Sequence, residues 1–206
     1  MSLAKPLWSA QEMAAAARGT LRGAVQEILT GISIDTRTLS PGDAFFAIKG
    51  ERLDGHDFVE AALAKGASLA VVDAASAERF PNDAALLVVD ETLQAMRDVA
   101  TAARARSSAK IVAVTGSAGK TGTKEALCLA LSPSGETHVS RASFNNHWGV
   151  PLSLARLSKD AKFGVFEIGM NHAGEITPLT RLVRPHIAII TTIEPVHLEY
   201  FSGIEA

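Results

Sequence analysis

The stretch Ile111-Val112-Ala113-Val114-Thr115-Gly116-Ser117-Ala118-Gly119-Lys120-Thr121 decides the fold. It begins as a run of β-branched and small apolar residues, the pattern of a strand buried on both faces. It then turns through Gly116 and Gly119 and opens a helix from about Lys120 to Leu131. Glycines let backbone N–H groups converge on phosphate oxygens, and a helix N-terminus adds partial positive charge. In such a cradle Lys120 neutralises the β- and γ-phosphates and the Thr121 hydroxyl is a ligand for Mg2+. The strict form of this loop has Gly where Val114 stands, and Gly-Lys-Thr alone occurs by chance. The flanking strand and helix favour the cradle over an ordinary strand–turn–helix.

Beyond the loop, Gly164–Ile168 and Ile187–Thr192 read as strands, with helical stretches near Val150–Leu157 and Ile176–Val183. Strands alternating with helices predict a parallel sheet with helical crossovers. Before the loop, Ser107-Ser108-Ala109 is a short polar linker after an Ala-rich amphipathic helix, Thr92 to Arg106. Further back, Ser9-Ala10-Gln11-Glu12 is a capping box with Gly19 as the helix stop. Gly31 to Thr36 and Ala44 to Ile48 read as strands around a Ser40-Pro41-Gly42-Asp43 turn. Asp57 opens a helix closed by Gly66, and Leu69–Val72 and Leu86–Val89 are short buried strands. The reading is an α/β chain: residues 1–107 form a small mixed domain, and residues 108–206 begin a phosphate-loop-type parallel-sheet domain.

Composition narrows the classes. The chain has 206 residues, 47% hydrophobic and 20% charged, with a net charge of −2. That composition builds a core and argues against disorder. No Lys/Arg cluster marks a nucleic-acid surface. Cys128 is the single cysteine, so neither an internal disulfide nor a Cys-rich metal site can form. No apolar run approaches the roughly 18–20 residues of a membrane span, and the N-terminus has no signal-peptide pattern. The expected location is the cytoplasm.

Several segments together resemble the Mur ligases, ATP-dependent enzymes that build the peptide of cell-wall precursors. Thr-Gly-Ser-x-Gly-Lys-Thr is the form of the loop in that family and in the related folylpolyglutamate synthase, with Gly122 here replacing a usual Ser or Thr. Asn145-Asn146-His147-Trp148-Gly149-Val150-Pro151 resembles the family's Asn-Asn-x-x-Gly-x-Pro segment. Glu167-Ile168-Gly169-Met170-Asn171-His172-Ala173-Gly174-Glu175-Ile176 is close to a run found in the branch that adds D-alanyl-D-alanine. Thr192-Ile193-Glu194-Pro195-Val196-His197-Leu198-Glu199 resembles the Asn-Ile-x-x-x-His-Leu-Glu of that branch, with Thr192 and Glu194 departing from it. Ile34-Asp35-Thr36-Arg37, Pro41-Gly42-Asp43, Phe45, Lys49-Gly50 and Asp54-Gly55-His56 resemble its N-terminal block.

The resemblance implies roles residue by residue. ATP would lie on Gly116, Ser117, Ala118, Gly119, Lys120 and Thr121, with Asn145 and Asn146 beside it. Mg2+ would be held by Thr121, Glu167 and His197, and catalysis carried by Lys120, Glu167 and His197. Asp35, Thr36, Arg37, Lys49 and His56 would hold the uridine diphosphate end of the substrate. Read without the family, Glu167 is a carboxylate at a strand end and His197 an isolated loop histidine. Asn145, Asn146 and Asn171 are also routine turn residues. His138 and His186 read as structural or solvated, and Cys128 as packed core.

The reaction implied joins UDP-N-acetylmuramoyl-tripeptide to D-alanyl-D-alanine through an acyl phosphate. The family carries a carbamylated lysine and an amine-binding domain past the position of His197, so the chain is expected to be a fragment, inactive alone, with an unpaired sheet edge that invites self-association. The alternatives are the branch that adds the third amino acid, a folylpolyglutamate-type ligase, or a non-catalytic nucleotide-binding module.

Overall fold

A computed structural model describes residues 5–141 and 144–195. The chain divides into two compact units, Met1–Val99 and Ala100–Ala206.

In the first unit a two-residue strand, β1 (Trp8–Ser9), leads into α1 (Ala10–Ala17). The expected capping box is present. The Ser9 hydroxyl accepts from the Glu12 N–H at 3.1 Å, and the Glu12 carboxylate accepts from the Ser9 N–H at 2.9 Å. The helix stops one residue before Gly19, because Arg18 itself takes the left-handed conformation, φ 54°. Gly19 is needed for close approach instead: a Cβ there would lie 2.7 Å from both Leu87 Cδ1 and the Val88 carbonyl oxygen.

The rest of the unit runs β2 (Thr20–Arg22), β3 (Ile28–Leu29), β4 (Gly31–Ser33), β5 (Asp43–Phe46), α2 (Val59–Ala64), β6 (Leu69–Asp73), α3 (Ala74–Ala77) and β7 (Leu86–Val89). Five strands form one sheet in the order β2-β7-β6-β5-β4, parallel except for β2. Phe45, Val59, Ala62, Val72 and Leu86 belong to its core. The strand expected to reach Thr36 ends at Ser33. The Ser33 hydroxyl accepts from the Asp35 N–H at 3.2 Å and donates to the Asp35 carbonyl at 3.0 Å, which folds the chain into a local turn. The helix expected from Asp57 starts earlier. Asp54 is the cap, accepting from the His56 N–H at 3.0 Å, and a 3-10 turn over Gly55–Phe58 precedes α2.

The division between the units falls inside α4 (Thr92–Arg106), about two turns before the linker at Ser107. The second unit continues β8 (Lys110–Thr115), α5 (Lys120–Leu131), β9 (Thr137–Val139), α6 (Gly149–Ala155), β10 (Phe163–Glu167), α7 (Ile176–Val183) and β11 (Ile187–Ile190). Its four strands are all parallel, in the order β11-β8-β10-β9. The connection from β8 reaches β9 on one side, and that from β10 returns to β11 on the other. This reversal opens a crevice at the carboxyl ends of β8 and β10, where ligands bind in sheets of this kind. Glu167 pairs in register with Val114, and Ile190 with Thr115, so the phosphate loop and Glu167 leave the sheet at one level. β11 presents Ile187 and Ile190 to solvent, 58% and 63% exposed. Among the described residues no helix is long and apolar enough to cross a membrane.

Candidate nucleotide site

The loop between β8 and α5 adopts the geometry its glycines allow. Gly116 has φ +132° and Gly119 φ +81°, conformations that favour glycine. Lys120 folds back over the loop, its ammonium donating to the carbonyls of Gly116 at 2.7 Å and Ser117 at 3.4 Å. The segment after β11 braces the loop from the other side. The Thr191 hydroxyl donates to the Ala118 and Thr115 carbonyls, the Ser117 N–H donates to the Thr192 carbonyl at 2.8 Å, and the Glu194 N–H donates to the Ser117 hydroxyl at 2.9 Å. A Cβ on Gly116 would collide with the Thr191 hydroxyl.

Glu167 stands at the centre of the crevice. It is 2% exposed, so it is no surface carboxylate. The Thr121 hydroxyl donates to its Oε2 at 3.0 Å and the Asn145 amide to its Oε1 at 2.8 Å. Lys124 Nζ lies 4.0 Å from Oε2 and is buried too. Asn145 is held in turn by its carbonyl, which accepts from the Gly169 N–H at 2.8 Å; a Cβ on Gly169 would crowd the Asn145 side chain at 2.9 Å. The structure thus brings Lys120, Thr121, Asn145 and Glu167 to one end of the sheet.

Among the described residues no group of three or more His, Cys, Asp or Glu could hold a metal ion. A magnesium site does not need one, because Mg2+ takes one or two carboxylates, completing its octahedron with phosphate and water oxygens. Adjacent ligands of an octahedral Mg2+ at about 2.0–2.1 Å stand about 2.9 Å apart, and Thr121 Oγ1 and Glu167 Oε2 are 3.0 Å apart. Both are oxygen donors of the kind this ion takes, and their hydrogen-bond spacing is compatible with adjacent places on it. His197 lies outside the described residues.

Other predicted residues make local contacts. The Asn146 side-chain oxygen accepts from the N–H groups of Gly149 at 2.9 Å and Trp148 at 3.3 Å, so it shapes the entry to α6. Glu175 receives the N–H of Asn171 at 2.7 Å and of His172 at 3.2 Å, and the Asn171 N–H is the main cause that holds its carboxyl below the ordinary range. His186 is structural, its Nδ1 accepting from the Ile111 N–H at 2.9 Å. His138 stacks on Phe166 with ring centres 5.5 Å apart and meets the Ser153 hydroxyl; desolvation lowers its pKa to about 4. Cys128 is only partly buried and bonds Ser132, so it is not packed core.

In the first unit, Asp35 and Arg37 grip each other, the guanidinium donating to both carboxylate oxygens at 2.7–3.0 Å. Arg37 holds the Asp35 carboxyl below the ordinary range. The Lys65 ammonium donates to the Thr36 carbonyl at 2.9 Å. His56 is buried. Its Nε2 accepts from the Asp73 N–H at 3.1 Å, which assigns the proton to Nδ1, 2.6 Å from the Asp54 carboxylate. Lys49 is exposed and bridges antiparallel to Asp54. His56 therefore pins the 3-10 turn to the start of α3. The sequence alone assigned no individual role to Lys124, Thr191 or Gly169. Lys124 had a signal, standing three residues after Thr121 on one helix face.

A glycine-rich strand–loop–helix beside a buried carboxylate at the carboxyl edge of a parallel sheet gives the second unit the architecture of a phosphate-loop α/β domain. The family models say which one: Mur ligase family, catalytic domain, matches residues 28–118, and Mur ligase middle domain matches residues 114–206. The chain belongs to the Mur ligase family. It is 38% identical over 174 residues to the UDP-N-acetylmuramoyl-tripeptide--D-alanyl-D-alanine ligase of Rickettsia prowazekii, covering 84% of this chain and 38% of that one. The Escherichia coli ligase of the same name is 39% identical, with 90% and 40% covered. Among solved structures, MurF from Acinetobacter baumannii superposes with a TM-score of 0.82 at 38% identity, over 98% of this chain and 44% of that one. MurF from Thermotoga maritima in complex with ADP gives 0.69 at 29% identity, over 85% and 40%. The chain thus spans about two-fifths of the length of the curated relatives.

Proposed function

We propose that the chain supplies the nucleotide-phosphate site of an ATP-dependent ligase that joins D-alanyl-D-alanine to UDP-N-acetylmuramoyl-tripeptide in the cytoplasm. The observation that carries the reading is the phosphate loop beside the buried Glu167, whose carboxylate takes hydrogen bonds from Thr121 and Asn145. It stands in a chain 38–39% identical to ligases of that name. A carboxylate oxygen of the tripeptide attacks the γ-phosphorus of ATP; ADP leaves, and an acyl phosphate forms. The dipeptide amine then attacks the acyl carbon, phosphate leaves, the amine sheds its proton, and an amide results. Lys120 orients the phosphates and offsets their charge, which is most of what the first step requires. Mg2+, held by Glu167 and Thr121, would neutralise further phosphate charge. The first unit, with Asp35, Thr36, Arg37 and Lys49, is assigned to the uridine diphosphate end, and His56 to supporting that surface from within.

The intact protein with ATP, Mg2+, UDP-N-acetylmuramoyl-tripeptide and D-alanyl-D-alanine is expected to release ADP and form UDP-N-acetylmuramoyl-pentapeptide, read by mass. Turnover with a single amino acid as acceptor, and none with the dipeptide, would overturn the assignment in favour of another branch.

A further inference from the structure

Lys124 has no part in the reading above, yet its position is unusual. It is the buried residue of α5, a helix otherwise half-buried or exposed. A lysine is rarely fully buried unless it is paired. Its ammonium lies 4.0 Å from Glu167 Oε2, the oxygen that also takes the Thr121 hydroxyl. Thr121 and Lys124, three residues apart, thus address one carboxylate oxygen from one helix face, while Asn145 holds the other oxygen. A carboxylate removed from water needs an opposite charge close by, and here the chain supplies one covalently.

We propose that Lys124 is a positioning residue, a built-in counter-charge that keeps the Glu167 oxygens in place and makes the carboxylate a weak cation site until nucleotide arrives. This rests on the reading of Glu167 as a cation ligand. With Lys124 beside it the pair is formally neutral, so a free divalent cation gains little by entering. A cation carried on a nucleoside triphosphate brings its own ligands and counter-charge, and Lys120 and the loop amides hold those phosphates. Lys124 thereby favours the metal–nucleotide complex over the bare ion.

The test is Mn2+ binding to the full chain by electron paramagnetic resonance, with and without ATP, in wild type, Lys124→Met, Lys124→Arg and Lys124→Met/Glu167→Gln. Wild type is expected to bind Mn2+ weakly alone and tightly with ATP. Lys124→Met should bind free Mn2+ at least tenfold more tightly, Lys124→Arg should match wild type, and the double variant should lose the gain. If Lys124→Met does not fold, Lys124→Gln serves in the same comparison. A wild type that takes up no Mn2+ even with ATP overturns the reading of the site and this inference with it. A wild type that does, with a neutral residue at 124 binding free Mn2+ no more tightly, overturns the Lys124 inference alone.

Discussion

The hydroxyl of Thr191, one residue past the end of β11, donates to the carbonyl of Ala118 in the middle of the phosphate loop, 73 residues earlier in the chain. The loop is therefore held by an element that follows it in sequence as well as by the strand and helix that flank it. Thr191→Val keeps the shape and removes the donor. Loss of a hydrogen bond of this kind costs about 0.5–1.5 kcal/mol, so ATP affinity should fall several-fold by titration calorimetry. Unchanged affinity would mean the loop keeps its form without this brace.

Gly116→Ala should act more severely. The residue sits at φ +132°, and its new methyl would collide with the Thr191 hydroxyl. ATP binding is expected to drop tenfold or more, and the drop should be smaller when Thr191→Ala is present as well. Additive losses would show that the collision is not the cause.

Lys120→Ala should weaken ATP binding by an order of magnitude or more, since a charge-assisted contact to phosphate is worth about 1.5–3 kcal/mol. Lys120 bonds the loop carbonyls of Gly116 and Ser117, so the variant should also loosen the loop. An equilibrium dissociation constant equal to that of wild type would reduce the loop to a structural turn.

Two neighbouring asparagines should separate cleanly. Asn145→Ala removes a donor to Glu167 and should weaken metal-dependent ATP binding with a modest loss of stability. Asn146→Ala removes the acceptor at the start of α6 and should cost about 0.5–2 kcal/mol in denaturant unfolding while ATP affinity holds. The reverse pattern would exchange their roles.

His138 predicts an acid sensitivity. Its pKa is about 4 in the folded chain, against 6.5 unperturbed. The folded state therefore binds fewer protons than the unfolded chain between those values, and stability falls as pH drops through that window. The slope is at most about 1.4 kcal/mol per pH unit. Above pH 6.5 and below about 4 this contribution is flat. Urea unfolding of His138→Gln should lack the slope; an identical pH profile would place the sensitivity elsewhere.

The second unit was legible because its elements are long and its patterns strong. α5 and α7 occupy the stretches expected, and β8 and β10 match them to within a residue or two. What stayed hidden lies in short elements and in side chains that bond locally. β9 spans only Thr137–Val139, too few residues to show a period. Ser33 diverts the chain into a turn where alternation predicted more strand. Lys120, Thr121 and Glu167 could be read as a site because their residue types carry the chemistry. Thr191 and Gly169 could not, because their contribution is a contact made only after the sheet has brought distant segments together.

β8 is hydrogen-bonded along both flanks, to β10 and to β11. Amides in such a strand open to solvent only in the costliest fluctuations, while loop amides open in cheap local ones. The glycine loop is thus a faster-exchanging cap mounted on one of the two interior strands of its unit, β8 and β10. Deuterium uptake at residues 116–119 should then respond to nucleotide without any change in the uptake of 111–114, so that the arrival of phosphate is felt as a quieting of the cap alone.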